Sequence, residues 1–369
     1  MRILLVIEPS GGGSGRHVID LAQALIEADH AVSLIYSPLR AEPRFEAEAA
    51  ALSLRHLEPL PMRRAVGPWD LGTVLALRRL IARLGPFDVV HGHSTKAGAL
   101  ARLAAPASAA RVYTPHAFAT QNPGARGAWL YGAAEALLAW AFCEAVIAVS
   151  AEEAVHARRR GLPADRLHVV PNGLATSPSQ TRLAARRFLG LSDDQRVVGF
   201  VGRLSPQKNP VLFAQAVRLA QARDPRILGV LIGEGELSEA VRAAGGAAVR
   251  LLGALDARPL MAGFDLFAVT SRYEGLAYAM LEAAAAGLPI LSSEVGGVSL
   301  LAEAGVRIDA LPLTASPEQW AEALTAALDR TDAASPGSPL PDRLSAARMA
   351  ADTVEIYRLA CARRRSARG

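Results

Sequence analysis

Short aliphatic runs alternate with longer amphipathic stretches along this chain. Residues 3–7 are an apolar run of strand length. In residues 16–28, Val18, Leu21, Ala22 and Leu25 recur at helical spacing on one face. A second strand is expected over 31–36, and a helix over 71–84 is stopped by Gly85-Pro86. Strands opening at Val89 and over 112–114, 146–149 and 167–170 complete this half, which closes on Pro171-Asn172-Gly173. Residues 174–195 are polar and rich in Ser, Thr and Arg, which predicts a linker and then a short helix. The alternation then restarts. Strands are expected over 197–201, 228–232, 249–252, 266–269 and 289–292, with helices over 211–223, 237–244 and 276–286. Residues 331–341 predict a flexible link and residues 346–363 a terminal helix. Strands alternating with helices predict parallel sheets with right-handed crossovers, and two such series predict two doubly wound α/β domains.

The length of 369 residues agrees with two domains, since it exceeds one ordinary core. A composition 51% hydrophobic and 20% charged is that of a globular protein. The stretch 128–149 is the most apolar, but Glu135 and Glu144 interrupt it. A membrane-spanning helix would bury both at high cost, so a helix docked in protein is expected first and a membrane-surface helix second. Residues 1–7 are too short for a signal peptide. Cys143 and Cys361 are too few and too far apart for a disulfide framework or a zinc site, which makes a reducing cytoplasm the expected compartment. The net charge of +5 is scattered apart from Arg158–Arg160 and Arg363–Arg365. It predicts a solvated surface and no nucleic-acid partner, with peripheral contact to an anionic membrane as the sharper expectation. The only lysines are Lys96 and Lys208.

Parallel sheets bind ligands beyond the carboxyl ends of their strands, so residues just after strands carry the candidate chemistry. Ser10-Gly11-Gly12-Gly13-Ser14-Gly15 follows the first strand, where glycines let a ligand approach the backbone. It lacks the Gly-x-Gly-x-x-Gly pattern, and the second strand ends in Tyr36-Ser37-Pro38 without an acidic residue, which disfavours a dehydrogenase. His116, after Pro115, can project beyond a strand and donate to a sugar hydroxyl. His91 and His93 have no carboxylate or cysteine at a metal-like spacing and are expected to be structural or cleft-lining. Gly202-Arg203 with Lys208 pairs a planar fork with a point charge, which suits a diphosphate. The strongest element is Glu274-Gly275-Leu276-Ala277-Tyr278 running to Glu282. It sets two carboxylates around a helix N-terminus suited to phosphate, one for a donor sugar and one for a ribose diol. No Asp-x-Asp motif for a metal-dependent transferase is present.

In order and spacing these segments, with Ile147-Ala148-Val149-Ser150 and Val170-Pro171-Asn172-Gly173, resemble the family-four retaining glycosyltransferases over nearly the whole chain. The resemblance implies the GT-B fold, two Rossmann-like domains facing across a cleft. Residues 1–173 would be the acceptor-side domain, 174–345 the nucleotide-sugar donor domain, and 346–369 a helix crossing back to the first. It implies transfer of a hexosyl-type sugar from a UDP-sugar or GDP-sugar, without metal or other cofactor. The acceptor would be a glycan, a lipid-linked glycan or a small molecule, in polysaccharide or glycoconjugate biosynthesis. His116, Arg203, Lys208 and Glu274 would be the catalytic residues. Gly12, Gly13, Gly202, Leu255, Gly275, Leu276, Ala277, Tyr278 and Glu282 would bind the donor, with Leu255 at the base and Glu282 at the ribose. Residues 304–312 depart from the family's usual glycine-rich strand and acidic turn. A sugar-nucleotide epimerase and a non-catalytic nucleotide-sugar-binding protein are the alternatives.

Overall fold

In chain order the first series is β1 (Arg2–Ile7), α1 (Gly12–Glu27), β2 (Ala31–Tyr36), α2 (Pro43–Ala51), β3 (His56–Pro59), α3 (Trp69–Leu84), β4 (Val89–His93), α4 (Thr95–Ala104), β5 (Ala110–Thr114), α5 (Ala128–Phe142), β6 (Ala145–Ala148), α6 (Ala151–Arg159) and β7 (Leu167–Val169). The second is α7 (Arg182–Leu189), β8 (Arg196–Val201), α8 (Pro210–Gln221), β9 (Ile227–Ile232), α9 (Ser238–Gly245), β10 (Val249–Leu251), β11 (Leu266–Val269), α10 (Tyr278–Ala285), β12 (Ile290–Ser293), α11 (Val298–Glu303), β13 (Ile308–Leu311) and α12 (Pro317–Thr331), followed by α13 (Ala346–Ser366). This computed structural model describes residues 1–121, 128–175, 180–331 and 340–366. Most of the link expected over 331–341 lies outside the described residues, as do 176–179 of the linker expected over 174–195.

The chain divides into two units, residues 1–175 with 343–369 and residues 176–342. The first unit holds a parallel sheet in the order β3-β2-β1-β4-β5-β6-β7. Successive side chains of a strand point to opposite faces. Ile3, Leu5 and Ile7 therefore pack in one core with α1 and α13, while Leu4 and Val6 pack in another with α3 and α4. Helix α13 is held at its start by backbone bonds: the Leu174 amide donates to the Leu344 carbonyl, and the Ala346 amide to that of Leu174. Gly173 makes the approach possible, because a Cβ there would lie 2.1 Å from the Ser345 carbonyl oxygen.

The second unit holds a parallel sheet in the order β10-β9-β8-β11-β12-β13. Phe200, Phe213, Val217, Leu231, Trp320 and Leu324 fill the core between it and α8, α9 and α12. Residues 304–312, where the family pattern weakens, still supply β13, which pairs in parallel with β12.

Both sheets reverse strand order once, between β1 and β4 and between β8 and β11. Loops leaving such a reversal diverge to opposite faces and open a crevice at the carboxyl ends of the strands.

The glutamates of the apolar 128–149 stretch are buried inside protein. The Tyr113 hydroxyl donates to Glu135 at 2.6 Å, and Arg102 lies 3.7 Å from the same carboxylate. Glu144 pairs with Arg111 at 3.0 Å and with Arg364 at 3.1 Å. Among the described residues no helix is long and apolar enough to cross a membrane. The expected loop Ser10–Gly15 needs correction. Helix α1 starts at Gly12, with the Gly15 amide bonded to the Gly11 carbonyl, because glycine does not prevent a first helical turn that tertiary packing supports.

Candidate active site

In the first unit the reversal collects histidines. His93 ends β4, His116 lies two residues after β5, and His17 comes from the second turn of α1. His93 Nδ1 and His116 Nε2 share a hydrogen bond of 3.1 Å, and His17 Nδ1 meets Asn172 Oδ1 at 2.9 Å. Behind them His91 bonds the Tyr357 hydroxyl at 2.7 Å and that of Thr114 at 2.8 Å. Sequence reasoning singled out His116 and left His91 and His93 as structural or cleft-lining. It missed His17, which lies 76 residues before His93 on an otherwise ordinary amphipathic helix. Burial disfavours the charged form of all four: His17 is pushed down to about 4, and His91, His93 and His116 well below the usual range. The group is therefore a set of neutral imidazoles near pH 7.

The segment bearing His116 is strained, with left-handed φ at His116 (54°) and Ala117 (77°). A buried carboxylate holds it. Glu153 accepts from the Ala117 amide at 2.6 Å and from the Val149 amide at 2.7 Å. No motif marked Glu153, which looks like an ordinary first-turn acid of α6. Gly12 and Gly13 are exposed at the start of α1, and the Gly12 amide donates to Glu42 Oε1 at 3.0 Å.

In the second unit the loops at the reversal are tied together by one backbone–backbone bond and three from side chains to backbone. The Arg272 amide donates to the Gln207 carbonyl, Gln207 Nε2 to the Tyr273 carbonyl, and the Thr270 hydroxyl to the carbonyls of Lys208 and Asn209. Glycine permits two further approaches. A Cβ on Gly233 would sit 2.0 Å from the Gly202 carbonyl oxygen, and one on Gly296 2.3 Å from that of Gly275. The result is one ion pair, Lys208 Nζ to Glu274 Oε1 at 2.7 Å, on a carboxylate that is 7% exposed. The other lysine is also paired: Lys96 bonds Asp70 at 2.5 Å.

The structure thus brings Lys208 and Glu274 together and leaves Arg203 exposed. Gly275, Leu276, Ala277 and Tyr278 are buried at the start of α10, whose N-cap Ala277 offers no side-chain acceptor to the first amides. Glu282 is half-buried on that helix. Beside the Gly202 strand end, a hollow of about 330 Å³ is lined by Gly233, Glu234, Ser238, Arg242, Leu251 and Gly253. Leu255 lies just beyond it in sequence and is exposed.

Two parallel, doubly wound α/β units in one chain are the architecture of a GT-B protein. Residues 11–177 match the family model of Glycosyltransferase Family 4, and residues 195–330 that of Glycosyl transferases group 1. The chain belongs to the family-four glycosyltransferases. It is 27% identical over 248 residues to the UDP-Gal:alpha-D-GlcNAc-diphosphoundecaprenol alpha-1,3-galactosyltransferase of Escherichia coli, a match covering 63% of this chain and 64% of that one. It is 34% identical over 187 residues to the D-inositol 3-phosphate glycosyltransferase of Corynebacterium glutamicum, covering 45% of this chain and 44% of that one. The chain therefore spans less than two thirds of the length of each. Among solved structures it is similar to Anabaena HepE in complex with UDP and glucose, at TM-score 0.78 and 24% identity over 96% of this chain and 98% of that one. It is also similar to WaaG, a glycosyltransferase involved in lipopolysaccharide biosynthesis, at TM-score 0.71 and 18% identity over 97% of each chain.

Burial pushes the Glu153 carboxyl up to about 7, against the two amides that favour its charge. Between 4.5, its ordinary value, and 7 the folded chain holds a proton that the unfolded chain has released. Stability tied to that proton is fully present below 4.5 and lost as pH rises through 7. Glu153→Gln has no such dependence. It loses one amide acceptor, and its melting-temperature deficit should be largest near pH 5 and shrink toward pH 8, over a range of about 3 kcal/mol at most. Melting curves of both proteins from pH 5 to 8 check this, and a deficit constant with pH would contradict it.

Proposed function

We propose that the chain transfers a hexosyl-type sugar from a UDP-sugar, with a GDP-sugar as the alternative donor, keeping the anomeric configuration and using no metal ion. The acceptor is a hydroxyl of a glycan, a lipid-linked glycan or a small molecule in polysaccharide or glycoconjugate biosynthesis, on the cytoplasmic side of a membrane. The observation that carries the proposal is the Lys208–Glu274 pair beside the start of α10, at the reversal of the second sheet. The choice of UDP is supported by the donor named for the Escherichia coli relative and by the ligands of HepE.

Cleaving the bond from the anomeric carbon to the diphosphate builds negative charge on the leaving group. The Lys208 ammonium has three donors, so one can stay on Glu274 while two serve phosphate oxygens. Arg203 adds a second cation, and the first amides of α10 add the positive end of a helix dipole. The leaving phosphate takes the proton of the acceptor hydroxyl as the new C–O bond forms on the same face. Charge is then balanced by the protein alone. Glu274 stands by the sugar as it becomes cationic, and Glu282 accepts from the ribose. Gly202 keeps the loop backbone close, and the hollow beside Gly233 and Gly253, near Leu255, takes the base. Gly12 and Gly13 meet the diphosphate, and His116 gives a neutral imidazole to a sugar hydroxyl.

Helix α5 adds a membrane contact to this proposal. Its exposed residues include Trp129 (71%), Leu130, Tyr131, Leu137 (66%), Trp140 and Phe142, and its one charged residue, Glu135, is turned inward. A soluble helix normally turns polar residues to water. Arginines flank both ends: Arg160 bonds the Thr120 carbonyl beside the start of α5, and Arg166 bonds the carbonyls of Ala139, Trp140 and Cys143 at its end. An apolar, Trp-bearing stripe with cations at its edges fits an anionic lipid surface.

Arg203→Ala should lower kcat/KM by about 2–4 kcal/mol of transition-state stabilisation with an unchanged melting temperature, since Arg203 is exposed. Lys208→Ala should lose a similar amount and also melt earlier, because it leaves the Glu274 carboxylate buried and unpaired. Turnover with UDP-sugars, with and without chelator, checks both; near wild-type rates in either variant, or activity lost to chelation and restored by magnesium or manganese, would contradict the proposal. For the membrane contact, co-sedimentation with anionic but not neutral vesicles at low salt is expected, and Leu137→Glu should reduce it. Equal behaviour with the two vesicle types would remove the contact.

A further inference from the structure

We propose that His17, His93 and His116 form a binding site for one divalent cation of the zinc class. One ring nitrogen from each of the three lies within 4.8 Å of the others. Their ring centroids are 4.5, 5.3 and 5.4 Å apart. Three imidazoles around one tetrahedral ion, at a metal–nitrogen distance of about 2.0–2.1 Å, have centroids about 5 Å apart and nitrogens about 3.3 Å apart. His93 Nδ1 and His116 Nε2 already stand 3.1 Å apart, and closing the site draws the His17 nitrogen in from within 4.8 Å. The bond between His93 and His116 occupies one nitrogen of each ring, and the second nitrogen of His93, Nε2, is buried and has no hydrogen-bond partner.

The surroundings resemble the outer shell of a metal site. Asn172 Oδ1 accepts from His17 Nδ1, which leaves the lone pair of the neutral ring on Nε2 and fixes the ring's orientation. The ligands come from α1, β4 and the loop after β5, all anchored on neighbouring strands of one sheet. Three nitrogen ligands leave a fourth position open, and His116, the half-buried member, stands at the outer side.

This inference rests in one respect on the proposed function. His116 is there assigned to a sugar hydroxyl, so an ion that takes its nitrogen competes with that bond. Zinc should therefore inhibit transfer, the opposite sign to a metal cofactor.

The test titrates Co²⁺ and Zn²⁺ into the metal-free full-length protein, following Co²⁺ visible absorption and its displacement by Zn²⁺. One ion per chain with four- or five-coordinate Co²⁺ bands is expected. Binding should weaken in His17→Gln and in His116→Asn by more than the roughly 10–100-fold caused by loss of a supporting partner. Asparagine tolerates the left-handed backbone at 116, so the second variant remains informative should the first fail to fold. Absence of stoichiometric binding, or binding untouched in a folded variant, overturns the site and leaves the transferase proposal intact. Stoichiometric binding without inhibition upholds the site and instead overturns the sugar-contact role of His116.

Discussion

Each parallel sheet reverses strand order at one place, and the candidate chemistry depends on that constraint. β8 and β11 are neighbours at the reversal, so two chain segments 66 residues apart stand side by side at the carboxyl ends of the strands. Lys208 and Glu274 sit on those segments. The pairing is not left to two flexible side chains. Thr270 fixes the carbonyls of Lys208 and Asn209, Arg272 and Gln207 join the two loops through the backbone, and Gly233 and Gly296 let neighbouring loops close in. Most of the cost of ordering the pair is thus met by folding.

The two units carry opposite electrostatic designs. The second presents fixed charge, a lysine and a carboxylate that is almost fully buried. The first presents buried imidazoles that burial keeps neutral, on a strained loop tied down by Glu153. Charge suits a leaving diphosphate, and neutral donors suit sugar hydroxyls. The division follows from what surrounds each reversal: aliphatic strands and α13 pack beside the histidines, while Lys208 stands partly exposed on a loop among closely packed glycine backbones.

Much of this was legible in the chain. The aliphatic runs at 3–7, 197–201 and 266–269 announced strands because both faces of these sheets are covered. The Glu274-to-Glu282 spacing announced a loop entering a helix. What stayed hidden was three-dimensional. Lys96 and Arg102 disguised α4, since their charges are compensated by Asp70 and Glu135 from other elements. The glycine-rich residues 10–15 suggested only a loop, although four of the six, Gly12 to Gly15, form the first turn of α1. His17 and Glu153 carried no local signature, because their partners lie 155 and 36 residues away. β3 and β13 are short edge strands with half-buried residues and weak patterning.

The central claim is that the two glutamates flanking the start of α10 belong to a donor site and divide the work, with Glu274 at the reacting sugar and Glu282 at the unreactive ribose. Steady-state kinetics of Glu274→Gln and Glu282→Gln, measured beside their melting temperatures, test it most directly. Loss of an interaction that exists equally in ground and transition states raises KM, whereas loss of one that strengthens as charge develops lowers kcat. The expected result is a lower kcat for Glu274→Gln and mainly a raised KM for Glu282→Gln, with both proteins melting close to wild type. Early melting of both variants with parallel losses of activity would contradict the claim and mark the two glutamates as packing residues.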